Sequence, residues 1–149
     1  MRVLGLHLLK EQLRFTVLEG TKSSPSLVVR GRLVTTDPED APTLMDWYDS
    51  QFRQLITNHS PNKLSYRLTL KPKKDQLVCS EFPLGILNLI AHQQSLPINS
   101  YTSQSFTPSR LGLAKGVDIY AHCDEVFGQH PPYWDKNQKN SLLAAWFEL

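Results

Sequence analysis

An α/β fold built on a mixed sheet is predicted by three observations. A short apolar run opens the chain, two further strand-like segments follow it after brief polar breaks, and the spacing beyond residue 40 then alternates between helix and strand. Val3 to Leu9 is almost continuously apolar, as a strand covered on both faces requires. Lys10-Glu11-Gln12 breaks it, and Leu13, Phe15 and Val17 then alternate with Arg14 and Thr16. Gly20 to Ser26, rich in Gly, Ser, Lys and Pro, reads as a turn or mobile loop, and Leu27 to Thr35 as a third strand. Three strands joined by short polar turns predict an antiparallel meander.

Pro42 then stands where helices accept proline, and Leu44, Trp47, Tyr48 and Leu55 follow at helical spacing, with Asp40 placed to cap the start. His59-Ser60-Pro61-Asn62 ends that helix. Leu64, Tyr66, Leu68 and Leu70 alternate with Ser65, Arg67, Thr69 and Lys71 as a fourth strand, closed by the charged loop Lys71-Pro72-Lys73-Lys74-Asp75. A helix from Pro83 to Gln93 is apolar nearly all round, which predicts burial. Leu96 to Tyr101 reads as a fifth strand, and Val117 to Phe127 and Asp135 to Leu149 as helices divided by Gly128 and Pro131-Pro132. With no repeat and no long linker, residues 1–149 read as one domain, a mixed five-stranded sheet flanked by helices.

Length and composition agree. At 149 residues, 40% hydrophobic and 20% charged, the chain can bury a core without staples, and it is neither disordered nor fibrous in composition. No apolar run is long enough to span a bilayer, and no cleavage site follows the first strand. Cys79 and Cys123 are too few for a disulfide framework, which points to a reducing, cytoplasmic compartment. A net charge of +2 permits a polyanionic partner without requiring one.

The element order resembles the RNase H-like fold, whose sheet opens with an antiparallel meander and continues with parallel strands, and local segments resemble its RuvC-type resolvase branch. Val3-Leu4-Gly5-Leu6 is similar to the hydrophobic-Gly-hydrophobic start of those proteins. Phe106-Thr107-Pro108-Ser109-Arg110 looks like the turn after their fifth strand, and Asn140 to Ala145 is similar to their last helix. A small uncharacterised bacterial family has the same layout. The resemblance implies a site of metal-binding carboxylates, and here the sequence departs from it. The strand-one carboxylate position holds His7, the end of strand four holds Leu70 and Lys71, and the two aspartate positions of the last helix hold Asn137 and Asn140. Two divalent cations need several anionic oxygens at short range, so the resemblance implies an emptied catalytic centre with no metal and no other cofactor.

Other constellations have simpler readings. Asp135 fits a helix cap, and Asp75 and Glu81 fit a solvated loop, although either set could belong to a relocated metal site. His122, Cys123, Asp124 and His130 lack zinc spacing. No Gly-x-Ser-x-Gly elbow, dinucleotide fingerprint or Walker loop occurs. Trp47 and Trp146 read as core residues, and Tyr133-Trp134 as packing beneath a proline turn.

The positive signal is cationic. Lys71, Lys73 and Lys74, with Arg110 and Lys115 after strand five, are the expected phosphate contacts. The sequence therefore favours a pseudo-nuclease that binds nucleic acid or a nucleic-acid-processing protein, with homo-oligomers compatible. The alternatives are a divergent metal-dependent nuclease with relocated carboxylates and a protein-binding scaffold without nucleic acid.

Overall fold

The computed structural model describes residues 1–35, 40–70, 73–74 and 77–149. Strands β1 (Arg2–Leu8), β2 (Gln12–Thr21), β3 (Ser24–Val34), β4 (Lys63–Arg67) and β5 (Ile98–Tyr101) form one sheet in the order β3-β2-β1-β4-β5. β1 pairs antiparallel with β2, and β2 with β3, whereas β1–β4 and β4–β5 are parallel. This is the predicted mixed sheet, with the apolar opening run at its centre. Among the described residues four α-helices flank it: α1 (Ala41–His59), α2 (Phe82–Gln93), α3 (Ile119–Phe127) and α4 (Lys136–Trp146).

Strand alternation gives the sheet two unlike faces. Leu4, Leu6, Leu8, Leu13, Phe15, Val17, Leu64 and Tyr66 form one face, packed with Leu44, Tyr48 and Phe52 of α1 and Leu87 and Ile90 of α2. The intervening residues turn toward α4. At the amino end of β1 the contact is apolar, Val3 and Leu18 meeting Leu142, Leu143 and Trp146. Further along it becomes polar. Thr16 Oγ1 lies 2.7 Å from Ser141 Oγ, Ser65 Oγ donates to the Ala144 carbonyl at 2.6 Å, and Gln138 Nε2 donates to the Phe15 carbonyl at 2.8 Å. Between these bonds α4 rides directly on Gly5, where an added Cβ would stand 2.1 Å from the Ser141 carbonyl oxygen. Only glycine permits that approach.

Several boundaries correct the sequence reading. Of Gly20 to Ser26 only Lys22 and Ser23 form the turn: β2 and β3 make a tight hairpin with Thr21 opposite Ser24, and Gly20 takes a φ of 114° beside the turn. β4 ends at Arg67, so Leu70 lies beyond the strand with an exposed side chain. A π-helical turn, Leu77–Glu81, leads into α2. α2 is not buried all round, because Phe82 and Leu89 are exposed. With Met45, Glu81, Gly85 and Ile86 they line an open groove of about 520 Å³. Asp40 occupies the N-cap position of α1 but accepts from the Thr43 hydroxyl instead of a backbone N–H.

β3 is an edge strand, and the chain from His130 to Asp135 lies against its arginines. Arg30 donates to the carbonyls of His130 and Pro132. Arg32 donates to Gln12 Oε1 at 2.9 Å and stacks 4.5 Å from the Tyr133 ring centre. Among the described residues, no helix is long and apolar enough to cross a membrane.

Candidate functional site

The sheet brings its most unusual polar groups together at the carboxyl ends of the parallel strands β1 and β4, the end where open α/β sheets commonly bind ligands. Gly5 pairs with Ser65 and Leu6 with Tyr66, so His7 and Arg67 come one residue further along neighbouring strands and share the face under α4. α4 supplies Asn140 to the same place. Its Oδ1 accepts from Arg67 Nη1 at 2.7 Å and from the Tyr120 hydroxyl at 2.6 Å, while its Nδ2 lies 3.5 Å from His7 Nε2. Arg67 Nη1 also donates to Tyr120 at 3.0 Å, and its guanidinium lies 4.4 Å from the Phe106 ring centre.

His7 is 6% exposed, and its pKa is pushed down to about 4. Burial is the main cause, and the positive charge of Arg67 adds to it. Hydrogen bonding with the Asn137 side chain beside the same ring works in the opposite direction. The imidazole is therefore neutral at physiological pH. Its Nδ1 has no hydrogen-bond partner among the described residues.

A second cation flanks this centre. Arg14 on β2, only 3% exposed, forms a bidentate pair with Asp135 at 2.8 and 3.0 Å. Asp135 also accepts from the Gln138 N–H at 3.0 Å, which makes it the α4 cap that its position predicts. Burial would raise the Asp135 pKa, but the bonds from Arg14 and Gln138 and the Arg14 charge outweigh it and hold the carboxyl below its usual range.

The residues at the expected carboxylate positions are thus divided. His7, Asn137 and Asn140 meet, whereas Leu70 stands outside the cluster and Lys71 lies outside the described residues. The β4 residue that does enter is Arg67. This donor set does not fit a pair of hard divalent cations: it offers one neutral imidazole and two amides beside a fixed positive charge. Among the described residues, no three His, Cys, Asp or Glu side chains converge as a metal would need. Asp75 lies outside the described residues.

The expected cationic contacts lie on separate segments of the chain. Lys73 and Lys74 are exposed ahead of α2, and Lys115 is exposed in the turn before α3. Arg110 is held by the Ser105 carbonyl at 2.8 Å and lies 4.9 Å from the Tyr101 ring centre. Trp134 packs as expected, donating to Asp124, whereas Tyr133 is exposed. His122 stacks on Trp146 and pairs with Glu125.

Sequence reasoning missed Arg14, Arg67 and Tyr120. Both arginines alternate with apolar neighbours, as solvent-facing strand residues do. The available signal was the polar residues Gln138, Asn140 and Ser141 leading directly into the apolar stretch Leu142 to Trp146 of the last helix, where they require polar partners beneath them.

No protein-family model matches the chain, and no curated protein sequence matches it. Solved structures do. RuvC of Thermus thermophilus in complex with a Holliday junction substrate superposes with a TM-score of 0.78 at 14% identity, over 99% of this chain and 92% of that one. The yeast mitochondrial Holliday junction resolvase matches at 0.61 and 13% identity, over 97% and 76%. The fowlpox virus resolvase matches at 0.55 and 6% identity, over 99% and 94%. The fold of this chain is therefore the one seen in RuvC and in these other resolvases.

Proposed function

We propose that the chain is a catalytically degenerate resolvase-like domain that works as a nucleic-acid-associated binding or accessory module. The observation that carries the reading is Arg67: a guanidinium hydrogen-bonded to Asn140 and set beside a neutral His7, at the strand end where the resolvase resemblance places carboxylates. A resident cation there repels divalent metal and attracts phosphate, so the change removes hydrolysis while favouring attachment. The structures of similar fold include two in complex with Holliday junction DNA, which makes branched DNA the first ligand to try. Lys71, Lys73, Lys74, Arg110 and Lys115 supply further phosphate contacts in this reading.

The test is a salt titration of binding to a four-way junction and to duplex of the same sequence, with magnesium, with manganese and with chelator. Binding is expected in all three and cleavage in none. Each phosphate contact contributes roughly 0.9 to the slope of log affinity against log salt, so Lys71, Lys73 and Lys74 changed together to alanine flatten it by up to about 3. Metal-dependent cleavage by the purified chain would overturn the reading. The exposed groove at Phe82 and Leu89 favours a second reading, a protein-binding scaffold, and absence of all nucleic-acid binding at low salt would select it.

A further inference from the structure

We propose that the side-chain cluster where the carboxyl ends of β1 and β4 meet α4 is a metal-independent phosphodiester site, in which Arg67, with Lys136 in the adjoining cavity, engages a backbone phosphate of nucleic acid directly. The inference rests on the nucleic-acid reading above and names the group that the site takes and the residues that take it.

The first support is charge. Arg67 is half-buried, yet it takes part in no ion pair among the described residues and bonds only neutral oxygens, through Nη1 alone. A cation partly withdrawn from water without a counter-charge is unfavourable unless an anion joins it. The Phe106 ring beneath fixes the guanidinium plane, which leaves Nη2 and Nε as a two-pronged fork suited to phosphate oxygens.

The second support is independent of Arg67's charge. Arg67 and Tyr120 both donate to Asn140 Oδ1, which turns the Asn140 amide nitrogen toward His7 Nε2. That assigns the ring hydrogen to Nδ1, which the nearby Asn137 side chain leaves without a hydrogen bond of acceptable geometry among the described residues, in a residue that is only 6% exposed. A buried donor without an acceptor is costly, and an oxygen ligand relieves it.

The third support is access. Tyr120 is shared between this cluster and a cavity of about 260 Å³, whose other lining residues are Asp118, Lys136 and Lys139. Lys136 Nζ stands 4.7 Å from the Tyr120 ring centre with no ion-pair partner among the described residues, while Lys139 is neutralised by Asp124 at 2.9 Å. Asp118 is the carboxylate in the lining, and its Oδ1 accepts from the Tyr120 and Ala121 N–H groups as the cap of α3.

The experiment uses the full chain in chelator, with inorganic phosphate and a four-way DNA junction as separate probes. The His7 ring and Asn140 amide signals are followed by NMR. Phosphate should move both signals saturably, and the junction should move them and displace phosphate. Arg67→Gln should abolish the phosphate response and weaken junction binding by about tenfold, the scale of one lost charge-assisted contact. Arg67→Lys should lose less. Lys136→Ala, exposed in the adjoining cavity and safe for folding, should weaken both probes severalfold. If the junction binds while the His7 and Asn140 signals stay still, the site is wrong and the nucleic-acid reading stands. If phosphate moves the signals but the junction does not bind, both the phosphodiester assignment and the nucleic-acid reading fail. A requirement for magnesium would also overturn the site.

Discussion

Gly5→Ala is the sharpest test of the packing between β1 and α4. The new Cβ would lie 2.1 Å from the Ser141 carbonyl oxygen and 2.8 Å from both Cβ and N of Ala145. All three obstacles belong to one helix, two of them to its backbone, so no side-chain rotation relieves the clash. To restore contact, α4 must withdraw by about 1 Å, a disturbance that ordinarily costs about 1–3 kcal/mol by itself. Withdrawal also stretches the Thr16–Ser141, Ser65–Ala144 and Gln138–Phe15 hydrogen bonds, each worth on the order of 1 kcal/mol. The total loss is about 3 kcal/mol, which for a domain of this size lowers Tm by roughly 6–12 °C. Urea denaturation followed by circular dichroism reads it, with Gly85→Ala as the control. Gly85 lies within α2 with no atom inside 4 Å of an added Cβ, so that change should stabilise by about 0.5–1 kcal/mol. A Gly5→Ala protein within 0.5 kcal/mol of wild type would refute the reasoning about α4, since such a shift belongs to an ordinary surface position.

The neutral state of His7 makes stability pH-dependent. The folded pKa is pushed down to about 4 while the unfolded ring titrates near 6.5, so between those values only the unfolded chain takes up the proton. Stability is therefore full above about pH 6.5 and falls by roughly 2–3 kcal/mol as the pH drops toward 4, a loss that His7→Gln should largely remove from the urea midpoint profile. Asp135→Asn keeps an amide able to cap α4 but leaves Arg14 buried beside a neutral group. Asp135 is about half exposed, so the expected cost is about 1–3 kcal/mol, and it should vanish in an Arg14→Met background if the ion pair is its cause. The Cys123 thiol is fully buried and pushed up to about 12, chiefly by that burial, so it should resist a thiol reagent in the folded chain and react at once in denaturant. Rapid native labelling at Cys123 would contradict the α3–α4 packing.

The central place of β1 was legible because its unbroken apolar run from Val3 to Leu9 suits a strand covered on both faces, and β2 carries its alternation openly. The end of β4 was not. Leu68 and Leu70 extend the alternation of Leu64 and Tyr66, so the segment has the pattern of a longer strand. Pairing stops at Arg67, however, because β5 ends at Tyr101 opposite it, and the pairing with β1 has already ended at Leu6 opposite Tyr66. Alternation records which residues suit a strand; where a strand stops depends on partners that lie elsewhere in the chain. The site was half legible for the same reason. His7, Asn137 and Asn140 stood out by their positions, but Arg14 and Arg67 looked like outward residues, because a polar strand face is normally read as solvated. Here α4 covers that face with Gln138, Asn140 and Ser141, and the two polar surfaces satisfy each other. A match of that kind belongs to a pair of elements and is invisible in either one.

The outer edge of the sheet bears on how the chain behaves in company. β3 is eleven residues long, lies at the margin and exposes Val28 and Val34, the makings of a template for strands from other molecules. Three features blunt it. Pro25 has no N–H to offer a neighbour, the register shift between Val17 and Leu18 disturbs the straight run of the hairpin, and Arg30 and Arg32 place two like charges on the margin itself. Because those guanidiniums are tied to the His130–Tyr133 segment, they cannot swing aside to admit an incoming strand. The arginines of β3 thus work against strand addition at an otherwise adhesive border, a duty owed to the crowded state of the chain and independent of any ligand it holds.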